Sequence, residues 1–428
     1  MRFCLVRIVV APAVVLLAGC GGDTAAQFAT PSSGPPSTAA TTTTSESVPS
    51  TATPTTRQPD LPVHVPPTIT GLAPGPVATT RVPVAAKVAA RPIQGVPVNI
   101  AFSDTQRGWM LGSNPNCVGC PQALLATTDG GASWSRIPSP DQGSASSLVR
   151  LRATPDGQLW LVDVPGSLLN GSVLWESPDG GVTWFRINGL GRISDLAVGL
   201  TTVWAVTDAC DMTATRCDTS IVRSSDHGAS WQRVEAPPSL LREHEWPQII
   251  AVDDQHVIVL TQRVGSDGHD IVSTADGGRH WTTLASVSEC GTGRPQLAAV
   301  DARQLWLACS GDAATIMERR FVARSDDGGH SWRITLDAIV TGHLAQMWAI
   351  SLRTAYISQC RGPVIVTTDG GATWAAAGEF QIGGERCITP VVFTDGQHGY
   401  AGDTKPDGAT RVWRTADAGR TWQPIDVD

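Results

Sequence analysis

The pattern Ser/Thr-x-Asp-x-Gly-x-x-Trp occurs seven times in this chain of 428 residues, and it constrains the fold more than any other feature. The first copy runs from Thr127 to Trp134, and the others close at Trp184, Trp231, Trp281, Trp332, Trp374 and Trp422, 42 to 51 residues apart. A period of this size means one supersecondary unit, copied and then stacked or arranged in a ring. The residue types in each copy suit a tight turn. Asp129, Asp179, Asp226, Asp276, Asp327, Asp369 and Asp417 offer short acceptors to backbone N–H groups that a hairpin turn leaves without ladder partners. The glycine two positions later tolerates positive φ. Trp134 and its six equivalents then enter the next strand as large apolar plugs between units. Calcium ligation fits poorly, because the alternating oxygen ligands of a calcium loop are missing, and seven copies of one active site would be redundant.

A unit of about 48 residues accommodates four short strands with their turns. Strand A is apolar, and strand B carries a large slot filled in order by Trp109, Trp160, Trp204, Ile258, Trp306, Tyr356 and Tyr400. Strand C leads into the Asp turn, and strand D begins at the Trp. Helical periodicity is confined to a short candidate around Ser239 to Glu245. The expected fold is all-β, a seven-bladed β-propeller with four antiparallel strands per blade over residues 96–428. In that order the Asp turns share a face with the A–B turns. The B–C loops and the D-to-A connections occupy the opposite face, where their differing length and content mark a place for binding.

The repeated octapeptide resembles the Asp-box, or BNR repeat, of sialidases, sortilin-type receptors and the photosystem II assembly factor propellers. The last group is also similar in how its units open, as in Ala101-Phe102-Ser103-Asp104 through Gly108-Trp109 and Val392-Phe393-Thr394-Asp395 through Gly399-Tyr400. That resemblance implies a non-enzymatic scaffold that holds a protein or peptide partner. The sialidase branch implies the alternative, a glycoside hydrolase of sialidase-like type or a glycan-binding module. Hydrolysis of that type needs a Tyr nucleophile with a partnering Glu, an Asp acid and an Arg cluster. The chain's two tyrosines, Tyr356 and Tyr400, fall in the strand-B slot, and Arg136 recurs as Arg186 and Arg233 two residues after the Trp. No catalytic residue, cofactor or metal is assigned.

Arg2 and Arg7 precede an apolar run from Ile8 to Leu17, which is shorter than the roughly 20 residues of a membrane span. Residues 1–19 read as an export signal. Leu17-Ala18-Gly19-Cys20 resembles a bacterial lipobox, which implies lipidation of Cys20 and a place on the extracytoplasmic face of the cell membrane. Residues 20–95 read as a disordered linker: Pro31 to Asp60 holds twenty-one Pro, Ser or Thr residues and cannot build a core. The less polar stretch from Val77 to Pro92 is expected to add an outer strand to the first or last unit.

Eight cysteines follow Cys4 and Cys20, an even number that in an exported chain reads as disulfides. The candidate pairs are Cys117 with Cys120, Cys210 with Cys217, Cys290 with Cys309, and Cys360 with Cys387. Aligning the units on the strand-B slot puts Asn99, Arg150, Ser194, Gln248, Gln296, Gln346 and Pro390 at one position on strand A, a largely polar ring at the mouth of the channel. A second candidate surface is the long connection Glu235 to Pro247, with Arg242, His244 and Trp246, beside Arg263 on the next loop. Its plain reading is a solvated charged loop, and a metal pair of His244 with His269 is the weaker one. A net charge of −8 without a basic run argues against a nucleic-acid partner. The expected partner is a protein, peptide or glycan, taken up by a monomer anchored to the membrane through its lipid.

Overall fold

The computed structural model describes residues 73–88, 97–112, 122–140, 146–165, 172–210, 217–237, 240, 244–263, 269–287, 290, 295–314, 317–377, 390–404, 410–425 and 427. The export signal, Cys20 and most of the linker lie outside them. Among the described residues every regular element is a strand. The helix expected around 239–245 falls mostly outside the described residues, and His244 and Glu245 already belong to a strand.

Three short strands come first: β1 (Gly75–Val77), β2 (Thr80–Val84) and β3 (Ala86–Val88). Blade 1 follows as β4 (Pro97–Phe102), β5 (Gly108–Gly112), β6 (Ala123–Thr127) and β7 (Ser135–Pro140), an antiparallel meander. Six more such meanders succeed one another, so the chain is a seven-bladed β-propeller. The first strand of every blade lines a central cavity of about 500 Å³. Apolar cores lie between neighbouring blades. Trp160 and Leu174 of blade 2, for instance, pack with Leu196 and Val222 of blade 3.

The leading strands alter the expected domain boundary. β1 pairs with the outer strand of blade 3, β2 with that of blade 2, and β3 with that of blade 1, each antiparallel. The linker therefore ends well before residue 95, and its last part is a strap across three blades instead of one added strand. Short edge strands suit this segment, because Pro76 and Pro83 lack the N–H that a central strand would need. Arg81 fixes it in place. Its guanidinium makes two bonds, 2.6 and 3.1 Å, to the buried Glu176 carboxylate and stacks 3.3 Å over Phe185. Gln158 donates a further bond of 2.9 Å to the same carboxylate.

Blade 7 and blade 1 share no strand. The ring closes by packing, with Val392, Tyr400 and Val412 against Ile100, Met110 and Leu125. Phe102 and Tyr400 stack at 4.3 Å, and the Tyr400 hydroxyl donates to the Gly130 carbonyl at 2.5 Å. Cys290 and Cys309 form a disulfide with Cα atoms 5.3 Å apart. Cys210 and Cys217 face each other across a ladder, and Cys360 is disulfide-bonded. Cys117, Cys120 and Cys387 lie outside the described residues.

Candidate functional site

The seven Asp turns are closed systems. Thr127 Oγ1 donates to Asp129 Oδ1 at 2.8 Å and accepts from the Gly131 N–H at 2.8 Å. Asp129 then accepts from the backbone N–H of Ser133 at 2.9 Å and from its hydroxyl at 2.6 Å. The hydroxyl–carboxylate pairing and the bond from the glycine N–H recur in every copy, as at Ser177–Asp179 and Thr415–Asp417. These bonds to the ionised form, the Ser133 hydroxyl foremost, hold the Asp129 carboxyl down at about 2. Five of the turns also bond to the A–B turn of their own blade, as where the Gly130 N–H donates to the Gln106 carbonyl at 2.9 Å.

The repeated glycine does more than turn the chain. A Cβ at Gly131 would lie 2.6 Å from Tyr400, and one at Gly228 would lie 2.5 Å from Trp160. Both partners are strand-B slot residues of the preceding blade, so the turn and the slot interlock from blade to blade. The slot's polar tip completes the joint: Trp109 Nε1 donates to the Gly180 carbonyl at 3.0 Å, and the Tyr356 hydroxyl donates to that of Ala418. Burial pushes the Tyr356 phenol up to about 12. Neither tyrosine is placed to act as a nucleophile.

The channel is lined by Asn99, Gln248, Gln296, Gln346 and Pro390, together with Arg152 and Asp195. The ladder corrects the expected ring in blade 3. The A–B turn of blade 3 is one residue shorter, with Val198 paired to Val203 where blade 2 pairs Ala153 to Leu159, so Asp195 opposite Val206 is the true counterpart of Arg150 opposite Val162. Ser194 sits in a bulge between Ile193 and Asp195 and donates its hydroxyl to Asp208. Most of these side chains reach to the next blade. Arg152 donates to Asn99 at 3.3 Å, and Arg150 donates to Asp195 at 2.9 Å. Asp195 accepts from the Ile249 N–H at 3.0 Å. Gln248 bonds both the carbonyl and the N–H of Leu297 at 2.9 Å, and Gln346 accepts from the Val391 N–H at 2.9 Å. The ring is a set of blade-to-blade ties around the central cavity.

Arg152 and Asp195 were not among the expected residues. Arg152 stands opposite Trp160, where blades 1, 3 and 5 place Ala101, Ala197 and Ala298 opposite their slots. A charge at a position otherwise apolar is a signal that aligned repeats carry; Asp195 was missed because a fixed spacing from the slot does not allow for the shorter turn of blade 3. The second candidate surface is partly strand. His244 and Trp246 fall in the first strand of blade 4 (His244–Ala251), with His244 opposite Arg263 at the end of the second. Arg242 lies outside the described residues. No group of three or more His, Cys, Asp or Glu gathers as a metal site among the described residues.

No protein-family model matches the sequence, and no curated protein matches it. The fold does have solved counterparts. YCF48 bound to D1 peptide is similar over 82% of this chain and 97% of that chain, with a TM-score of 0.50 and 14% identity. The β-propeller domain of the Trilobed protease from Pyrococcus furiosus is similar over 78% and 98%, with a TM-score of 0.52 and 10% identity. A Hadza microbial sialidase overlaps 71% of this chain and 73% of its own, with a TM-score of 0.41 and 14% identity. At these identities the first two establish a shared propeller fold and leave activity open.

Proposed function

We propose that this protein is a membrane-anchored extracytoplasmic lipoprotein, held through Cys20, whose propeller is a non-enzymatic scaffold for a protein or peptide partner. The observation that carries this reading is where the polar side chains go. On one face the Asp turns bond to themselves and to their neighbours, and in the channel Arg150, Asp195, Gln248 and Gln346 tie one blade to the next. The strand connections on the opposite face are the part of the chain that the fold does not dictate, and variable connections on a rigid frame are where recognition concentrates. A peptide-bound propeller among the solved counterparts supports the same reading. The hydrolase alternative loses its nucleophile, because both tyrosine hydroxyls are spent on neighbouring carbonyls.

The test is cross-linking on intact membranes with the lipidated parent and a variant whose residues 241–243 and 264–268 are replaced by short Gly-Ser turns. One defined protein recovered with the parent and lost with the variant is the expected outcome. Capture that survives trimming moves the site off this face. No protein with either form, together with binding or hydrolysis on a glycan array, returns the alternative.

A further inference from the structure

The strap covers the outer strands of blades 1, 2 and 3, and among the described residues the outer strands of the other four blades are sheet edges. An edge invites pairing unless it is short, charged or interrupted by proline. The outer strands of blades 6 and 7, Ala375–Ala376 and Gln423–Ile425, are two and three residues long, and the second contains Pro424. Blades 4 and 5 lack proline in their outer strands, and that of blade 4, Thr282–Val287, is six residues long, so blade 5 offers the longer edge. Its outer strand, Arg333–Thr341, runs for nine residues with neither proline nor lysine. In its ladder Met317 faces Thr341, Arg319 faces Ile339 and Phe321 faces Asp337. Phe321 belongs to the core between blades 4 and 5, so alternation brings Met317, Arg319, Asp337 and Ile339 to that same side. Met317 is 43% exposed, Ile334 54% and Ile339 69%. Arg319 and Asp337 neutralise each other through bonds of 2.7 and 2.8 Å.

We propose that the outer edge of Arg333–Thr341 is a strand-addition site, taking an extended, valine- and proline-containing segment of a partner polypeptide as an antiparallel fifth strand. The occupant's chemistry is read from the same molecule, which shows this interaction three times. β1, β2 and β3 are all antiparallel to the strands they cover, they carry Val77, Val82, Val84 and Val88, and they accommodate Pro76 and Pro83. Main-chain bonds supply affinity in such a mode, and alternate side chains supply selection. The chain's own strap is committed elsewhere by Arg81 and Glu176. A second copy is disfavoured, because antiparallel self-pairing centred on this strand sets Asp337 against Asp337. The site lies on the rim and does not depend on the loop face proposed above.

The probe is a fluorescein-labelled peptide copying residues 75–88, titrated by anisotropy into the full chain, into an Ile334→Asp/Ile339→Asp variant, and into Val182→Asp as a control at another exposed apolar position. Saturable binding is expected, about tenfold weaker in the double variant, which loses two aliphatic contacts, and unchanged in the control. Thermal melts verify folding, and Ile339→Lys alone replaces the double variant if that one fails to fold. Absence of saturable binding to the parent overturns the proposal. So does equal binding by the rim variant, which would place the peptide on the strap's own edges. Sedimentation of the parent as a dimer that the double variant dissociates overturns it too, assigning the edge to a second copy.

Discussion

Gly131 adopts φ of 73°, and its missing Cβ makes room for Tyr400 of the preceding blade, so one hydrogen atom serves both the turn and the joint. Gly131→Ala is expected to cost about 3 kcal/mol, since neither the backbone strain nor the ring contact can be relieved alone. Gly396 has no neighbour within 4 Å of a built Cβ, and Gly396→Ala should stay within about 0.5 kcal/mol. Urea denaturation of the two variants makes the comparison. The aspartates set a pH dependence at the same scale. Asp129, Asp369 and Asp417 are held at about 2, foremost by the hydroxyls of Ser133, Thr373 and Thr421, and Asp276 and Asp327 are lowered as well. A carboxyl lower in the folded than in the unfolded chain binds fewer protons when folded. Its stabilisation is therefore complete above about 4 and disappears as pH falls toward about 2. Denaturation midpoints should fall steeply across that window, and Asp129→Asn should flatten the slope by about one proton.

Among the elements, the strap carries the clearest single-residue prediction. Arg81→Ala leaves the Glu176 carboxylate, 1% exposed, with Gln158 as its remaining side-chain partner. The expected cost is about 2 kcal/mol, less than for a fully buried pair because Arg81 keeps part of its surface in water. A double-mutant cycle with Glu176→Leu separates the ion pair from lost packing. Replacing Cys290 and Cys309 together by serine should lower stability by about 3 kcal/mol, the loop they close spanning 19 residues, as read from denaturation of the double variant beside the parent. The blades were legible in the sequence because each Asp turn, its Trp and the strand-B slot fix one another's spacing, and the same ruler located Asn99, Gln248, Gln296 and Gln346. It failed by one residue at Ser194, because the A–B turn of blade 3 is one residue shorter than that of blade 2. The strap was only partly legible. Strands of three to five residues interrupted by proline carry almost no alternation, and nothing in them names the blade they will cover.

In the whole molecule, closure by packing makes the seam between blades 7 and 1 different in kind from a closure that shares a strand. Blade 7 ends in a three-residue outer strand with no strap over it, whereas blades 1, 2 and 3 each have a fifth strand. Hydrogen exchange should therefore be faster in Gly399–Thr404 and Thr410–Thr415 than in the corresponding strands of blade 2. Equal protection would show that the seam is as cooperative as the other joints. The seven cores were foreseeable from the repeat; the manner of closure was not, since packing across a seam leaves no mark in either segment alone. The strap also bears on how the ring is made. Its strands dock in reverse, β3 on blade 1, β2 on blade 2 and β1 on blade 3. As an exported chain emerges N-terminus first, blade 1 is completed first, and its edge is offered to the strand nearest to it in the chain. Each docking event shortens the loop that the next must close, so Val77 need not find Trp231 across the whole intervening chain in one step. The order that looks inverted in space is sequential in time: the belt fastens one notch for each blade that emerges.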